Sequence, residues 1–593
     1  MAKAETPSAL LARIAAVGGS GALAAGAVFL FIHYSAPDGH DVLDFARMLL
    51  VALSTFWIGW GASTAVLGLF AATPHRPWTD EMAPARGRTA ILIPIYNEDP
   101  APVFSRVAAM NASLVKLGLA DRFDFAVLSD TTAMDVAAEE VVWFQRLLEA
   151  TQGQGRMFYR RREANIGKKA GNIEDFVRRS GSAYDYAIIL DADSLLEGST
   201  MAEMVNRMEA DPELGLLQTV PKIIGAQSLF GRVIQFCANY YGPTYSSGLA
   251  LLQGREGPFW GHNAIVRMNA FAASCGLPVL SGKPPHGGHI LSHDYVEAAL
   301  LARNGWKVRL DPDLGGSYEE GPENLVEFAK RDRRWCQGNL QHRRLLMAPG
   351  FHMWNRFVFL QGIMSYLGSP LWLMFLIFSM LDASILTQPS YISMRLLPAS
   401  VLAGWALLGG TFVLLTLPKF LIVLRGALTG ENRRYGGTFK VIASVLAEIA
   451  LSSLVAPVML AIQTRSVFQV LFGLDGGWPA TRRSESRVRL GQAWVATSWL
   501  VVAGSIGLVI VLALAPASLA WALPVAGPMI LAPLVIAGSS RSNVSSDLFV
   551  TEQERSPSPA IRERQWILSS WMGESAKASL HMPAIPAGRT AQA

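Results

Sequence analysis

The chain has 593 residues, 51% of them hydrophobic, with a mean hydropathy of +0.29, a formal net charge of +5 and a pI near 9.0. Its three cysteines (Cys237, Cys275, Cys336) form neither a C-x-x-C nor a Cys/His pattern, which excludes a disulfide framework and a zinc site. Many basic residues flank apolar runs, where headgroup contact and cytoplasmic retention account for them, so no nucleic-acid partner is expected.

Apolar residues gather at the two ends and charges lie between Pro77 and about Arg344, predicting membrane, soluble domain, membrane. Runs near Leu10 to Phe31 and Met48 to Ala72 predict two spans; the second follows without a processing site, so the first is not a cleavable signal. The loop Pro37-Asp38-Gly39-His40-Asp41 is poor in Lys and Arg and is expected outside, leaving the amino terminus and the polar block cytoplasmic. This organisation divides the chain into a membrane region (1–75), a cytoplasmic α/β domain ending in interfacial helices (76–350), a membrane bundle (351–540) and a cytoplasmic, partly disordered tail (541–593).

Within the polar block, short apolar runs alternate with amphipathic stretches, the pattern of a mostly parallel sheet with crossover helices. Ala90 to Ile95 ends in Tyr96-Asn97-Glu98-Asp99-Pro100, Phe123 to Leu128 in Ser129-Asp130, and Met157 to Arg160 in Arg161-Arg162-Glu163 and the Asn165 loop. Tyr186 to Leu190 ends in Asp191-Ala192-Asp193. Ligands of open α/β sheets bind beyond the carboxyl ends of strands, where these polar clusters fall.

Asp191 and Asp193 face the same way in an extended chain and suit a hard cation, although a solvated turn would read the same. Asp130 is either a helix cap or a carboxylate for the base or ribose of a nucleotide. Gly167-Lys168-Lys169-Ala170-Gly171-Asn172 is a solvated loop or a close approach to a diphosphate, with Lys169 its cation. Phe259-Trp260-Gly261-His262-Asn263 is a sugar platform or a buried aromatic strand. Ser292-His293-Asp294 opens a helix in which Asp294 is an N-cap or something more. Arg331-Asp332-Arg333-Arg334-Trp335 is a membrane-surface anchor or a site for phosphate and sugar. No Walker loop and no G-x-G-x-x-G follows a strand, which disfavours ATP and dinucleotide folds.

Beyond the domain, apolar runs recur near Phe357 to Leu381, Leu396 to Leu424, Val441 to Ile462, Trp494 to Ala515 and Leu519 to Ala537. Basic clusters at Arg425 to Tyr435 and at Arg482, Arg483, Arg487 and Arg489 cannot both be inside if Val441 to Ile462 crosses once. A hairpin, re-entrant segment or interfacial helix is therefore expected over 441–473, interrupted by Glu448 and Pro457, and an even number of crossings.

Taken in order, these motifs resemble the processive membrane-bound glycosyltransferases of family 2, which include cellulose, hyaluronan and chitin synthases. The resemblance rests on Pro94 to Glu98, Asp130, Lys169-Ala170-Gly171-Asn172, Asp191-Ala192-Asp193, Asp294 and Arg331 to Trp335. Cellulose synthases have Thr-Glu-Asp where this chain has Ser292-His293-Asp294. Ser292 to Ala299, Arg333 to His342 and Ala456-Pro457-Val458-Met459 look like the glucans biosynthesis glucosyltransferase H family. That resemblance implies a GT-A (Rossmann-like) domain inserted between transmembrane helices of a bacterial inner membrane. It implies UDP-glucose as donor, a growing β-1,2-glucan as acceptor, and Mg²⁺ or Mn²⁺ held by Asp191 and Asp193. Asn97, Glu98, Asp130, Lys169, Arg331 and Arg334 would bind the donor, Trp335, Trp260 and His262 the acceptor, and Asp294 would be the base. Periplasmic glucan-processing proteins and acyl carrier protein are implied as partners. The long amino-terminal extension of some members has no counterpart here, nor do the contacts mapped to it. The rival readings are another family 2 synthase, a lipid-phosphate glycosyltransferase, which usually lacks the R-x-x-R-W element, and more distantly a transporter with a nucleotide-binding domain.

Overall fold

The structure is a computed structural model and describes residues 7–35, 41–71, 85–386, 399–474, 487–542 and 547–580. Its soluble part is built on ten strands. They are β1 (Thr89–Ile95), β2 (Phe123–Ser129), β3 (Met157–Arg161), β4 (Tyr186–Ile189), β5 (Leu195–Leu196), β6 (Leu214–Thr219), β7 (Lys222–Ile224), β8 (Ala264–Arg267), β9 (Lys307–Asp311) and β10 (Ser317–Glu320). Seven form one sheet in the order β3-β2-β1-β4-β8-β6-β9, and β5-β10-β7 form a smaller one.

β1 to β4 are mutually parallel, as the strand and crossover-helix pattern predicts, but β8 runs antiparallel to both β4 and β6. The sheet is therefore mixed beyond β4. Both faces of the parallel half are covered, which is why its strands read as unbroken apolar runs. In β1, Ile91, Ile93 and Ile95 pack into one core while Ala90 and Leu92 pack into the other, the two-residue period of a strand. The chain leaves β1 first toward β2 and β3 and later returns to β4 on β1's other side. The crevice beyond the carboxyl ends of β1 and β4 is thus the topological switch point, where Asp191 follows β4.

Among the described residues, six helices are long and apolar enough to cross a membrane: Pro7–Ser35, Val42–Ala71, Met353–Asp382, Ser400–Thr429, Thr438–Leu471 and Leu490–Leu514. The pair Leu519–Ile530 and Ala532–Ser539, bent by 56°, would make a seventh. The second helix meets the domain helix Gly242–Gln253 at backbone contact: a Cβ on Gly68 would stand 1.8 Å from the Thr244 carbonyl oxygen, and one on Gly248 would stand 1.9 Å from that of Thr64. Small residues at both positions allow this approach.

The expected hairpin or re-entrant break over 441–473 is absent, because Thr438–Leu471 is one unbroken helix with Pro457 inside it. Its contacts fall on the apolar helix Met353–Asp382, where Ser369 donates to Gln463 at 2.6 Å, and on the domain. Val445 packs with Val233 and Phe236 of the helix Leu229–Tyr240, and Val458 packs with Phe230 and Leu325. Farther along, Gln463 donates to Asp332 (3.2 Å) and Gln469 accepts from Arg333 (3.1 Å). The catalytic domain thus touches this helix from its first turns to its last. Glu448, which interrupts the apolar run, is paired with Lys419 at 2.6 Å. Arg482 and Arg483, like Pro37, Asp38, Gly39 and His40, lie outside the described residues.

Within the segment expected to be a partly disordered tail, the helices Glu552–Arg555 and Pro559–Leu580 form and dock on the domain. Ala560, Ile561, Ile567 and Trp571 are buried in the core that holds Phe104 and Val107, and Trp571 meets Trp143 at 5.7 Å. A polar, Ser/Pro-rich composition concealed this, because the four apolar residues are spread over three turns.

Candidate active site

One cleft gathers Lys169, Asp191, Trp260, Gly261, His262, His293, Asp294, Arg331, Arg334 and Trp335, eight of which are candidates named from the sequence. Their elements explain the meeting. Lys169 lies in the first turn of the helix Lys168–Ser180; its ammonium donates to the Gly261 carbonyl at 2.6 Å and is paired with Asp191. Gly261, at φ +81°, turns the chain tightly enough to bring that carbonyl to the lysine while its α-carbon sits against Asp294. Phe259 is fully buried, whereas Trp260 and His262 line the cleft in an irregular segment before β8.

Asp294 is not an N-cap. Ser292 occupies the cap of the helix His293–Arg303, and Asp294 stands in its first turn facing the cleft. Burial, opposed by His293 and reinforced by Glu297, holds its carboxyl above the ordinary range. His293 Nδ1 lies 3.0 Å from Glu297 Oε2; burial would lower the imidazole, but the Glu297 carboxylate outweighs it and keeps it raised. Behind them, buried His342 is driven down to about 4 by desolvation, and its Nε2 lies 2.9 Å from the Ser292 carbonyl oxygen.

The basic run 331–335 falls in the helix Leu325–Gln341 and divides by helical period. Arg331, Arg334 and Trp335 share the cleft face, with the Arg331 guanidinium 4.4 Å from the Trp335 ring centre. Asp332 and Arg333 face the membrane helices instead: Tyr366 donates to Asp332 at 3.3 Å and Arg333 donates to the Leu474 carbonyl at 2.7 Å. Site and anchor thus occupy opposite faces of one helix.

Asn97, Glu98 and Asp130 lie at the ends of β1 and β2 rather than in the cleft lining. Asn97, at φ +56°, accepts from the Thr132 and Ala133 amides at 3.0 Å each, and Glu98 accepts from the Tyr96 amide. Asp130 is held by both Arg162 nitrogens, Nε at 2.7 Å and Nη2 at 2.8 Å, and by Asn172 at 3.0 Å. Beneath them buried Glu140 accepts from Ser129, Thr131 and Tyr159. Arg162 and Glu140 escaped assignment because an arginine in a loop and a glutamate within a helix carry no pattern of their own.

Asp193 is buried and Asp191 half-buried. Glu319 joins them: burial raises its carboxyl, His262 opposes, and Asp193 and Asp191 raise it further. Carboxylate oxygens suit a hard divalent cation, so the chemistry of Asp191 and Asp193 fits one, although among the described residues the only three carboxylates with ligand atoms within 4.8 Å of one another are Asp41, Asp44 and Asp382. Arg106 fixes the loop between the two aspartates by donating to the Ala192 carbonyl at 3.1 Å, and it is paired with Glu320 on the cleft rim.

The family model for glycosyl transferase family 2 matches residues 90–274, and that for glycosyl transferase family group 2 matches 186–417. With a Rossmann-like mixed sheet and apolar helices on either side, fold and site define a membrane glycosyltransferase of the GT-A class. The glucans biosynthesis glucosyltransferase H of Cereibacter sphaeroides is 52% identical over 97% of both chains. That of Caulobacter vibrioides is 41% identical over 88% of this chain and 81% of its own, and that of Vibrio cholerae 41% identical over 83% and 70%. The chain belongs to the glucans biosynthesis glucosyltransferase H family. Among solved structures, a mannosyltransferase of Pyrobaculum calidifontis in complex with GDP-Man and Mn²⁺ is similar at 17% identity and a TM-score of 0.42, covering 64% of this chain and 97% of that one.

Proposed function

We propose that this chain is an inverting, processive glucosyltransferase of a bacterial inner membrane that extends a β-1,2-glucan from UDP-glucose on the cytoplasmic side and passes it through its own helices. The observation that carries the reading is the single cleft in which Asp294 faces Lys169 and Asp191 across Gly261, with Trp335 and Trp260 on its walls. Asp294 takes the proton of the attacking acceptor hydroxyl, whose oxygen bonds to the anomeric carbon as the bond to UDP breaks on the opposite face. Inversion follows from that single displacement. Lys169, Arg331 and Arg334 bind the diphosphate, while Asn97, Glu98 and Asp130 shape the uridine pocket. Asp191 and Asp193 would hold Mg²⁺ or Mn²⁺, which supplies positive charge to the leaving diphosphate. Trp335, Trp260 and His262 hold the acceptor; flat aromatic faces grip a sugar without fixing its register, so the chain can advance.

The test is the product that purified full-length protein makes from UDP-glucose, analysed for mass and linkage. A β-1,2-glucan that requires a divalent cation is expected. A lipid-linked monosaccharide, or undiminished synthesis in EDTA, would overturn the reading.

A further inference from the structure

The tail segment 552–564 touches the small sheet at both of its ends, on the neighbouring strands β7 and β10, and from one end reaches on to the turn between two long apolar helices. At one end Glu552 meets Lys222 of β7 at 3.1 Å and Arg434 at 3.3 Å. Arg434 belongs to the turn Glu431–Tyr435, which joins two of the long apolar helices, and Arg555 donates to the neighbouring Arg433 carbonyl. Glu554 lies 3.5 Å from Arg232 on the helix Leu229–Tyr240. At the other end Arg564 donates to Glu320 at 3.3 Å.

Glu320 shares its carboxylate with Arg106, the arginine that holds the Ala192 carbonyl between the two aspartates. Two guanidinium groups on one carboxylate leave excess positive charge in a part-buried place, an arrangement that repels unless something imposes it. Docking of the helix Pro559–Leu580 imposes it, through Ile561, Ile567 and Trp571 in the domain core. Buried contacts of this kind fix a side chain far more firmly than an exposed ion pair does.

We propose that the segment Glu552 to Arg564 is a strap that sets the Asp191-Ala192-Asp193 loop in register with the membrane domain. Arg564 is a positioning residue in it, acting on that loop through Glu320 and Arg106. The strap bears on the donor side of the cleft while its other end grips the turn that joins the helices Ser400–Thr429 and Thr438–Leu471. The inference rests on the donor-site reading above for its consequence, and on the contacts alone for its geometry.

Full-length Arg564→Ala, Arg564→Lys and Lys116→Ala proteins test it by two measurements. The first is hydrogen exchange of the amides from Leu190 to Ser194; the second is Mn²⁺ affinity in the presence of UDP. Arg564→Ala should quicken exchange in that loop and weaken Mn²⁺ binding about three- to tenfold, as expected for a charge-assisted hydrogen bond acting at one remove. Arg564→Lys should recover part of both, and Lys116→Ala, which removes only an exposed ion pair of the same helix and leaves the buried contacts of Ile561, Ile567 and Trp571 in place, should change neither. Unchanged exchange in Arg564→Ala, or equal effects from Lys116→Ala, would overturn the strap. Quickened exchange in a protein whose wild type binds no Mn²⁺ with UDP would uphold the strap and sink the metal assignment alone.

Discussion

Asp294 is the proposed base at the scale of single residues, and its placement in the first turn, with Ser292 at the cap position, removes N-capping as a reason for the carboxylate. Asp294→Asn should therefore insert and bind UDP normally while transfer falls about a hundredfold or more, since an amide cannot accept the acceptor's proton. Initial rates with UDP affinity measured alongside check this; near wild-type transfer would pass the role to His293 or Glu297. The acid limb of the rate profile follows from the same burial. A base works only when deprotonated, and a carboxyl raised by desolvation becomes protonated at higher pH than the ordinary value of about 4. Activity should thus fall with a single-proton limb above that value as pH drops, in kcat/KM measured across the acid range. The sequence made Asp294, Lys169 and Asp191 legible because each belongs to a motif with fixed neighbours. Glu319, Arg106 and Glu320 were not legible, since their roles arise only when β10 is laid beside the loop after β4, more than a hundred residues away in the chain.

An element can hold two functions if its period separates them, and the helix Leu325–Gln341 does so. Trp335→Ala removes a ring from the cleft face and should weaken acceptor binding about tenfold or more while leaving UDP affinity in place. Arg333→Ala, one turn face away, should leave both affinities and instead loosen the join to Leu474 and Gln469. Acceptor and UDP titrations of both variants, with thermal unfolding, separate the outcomes; loss of UDP affinity alone in Trp335→Ala would move that residue to the donor site. From sequence the run 331–335 could only be read as one object, anchor or site, because the helix boundary that divides it was unknown. Conversely, strand ends were read almost to the residue, since an apolar run stopped by carboxylates marks itself.

The whole molecule is ordered by one relation between domain and membrane: the helix Thr438–Leu471 is touched by the catalytic domain at both ends. At 34 residues it is as long as Met353–Leu386, so length leaves open whether it crosses or lies along the interface, and the expected even number of crossings needs the second. If the helix lies flat, Gly437 and Arg487 share one side of the membrane and six candidate spans remain, with the bent pair counted as one. Single cysteines replacing Asp41 and Arg487 test this in intact cells: an impermeant reagent should label Asp41→Cys and spare Arg487→Cys. Labelling of Arg487→Cys would show that the helix crosses. Apolar length announced every candidate span in the sequence, but only contacts distinguish a helix that crosses from one that lies flat.

The docked tail also bears on how the protein is made. The helices Pro100–Lys116 and Met134–Thr151 offer an apolar face whose cover, Ile561, Ile567 and Trp571, is translated only after all the long apolar helices. At ~5–20 residues per second, that face waits roughly twenty seconds to a minute and a half on the ribosome before its partner exists. During that interval the nascent domain exposes what chaperones bind and proteases find, and a chain that stops short of Ile561 never hides it.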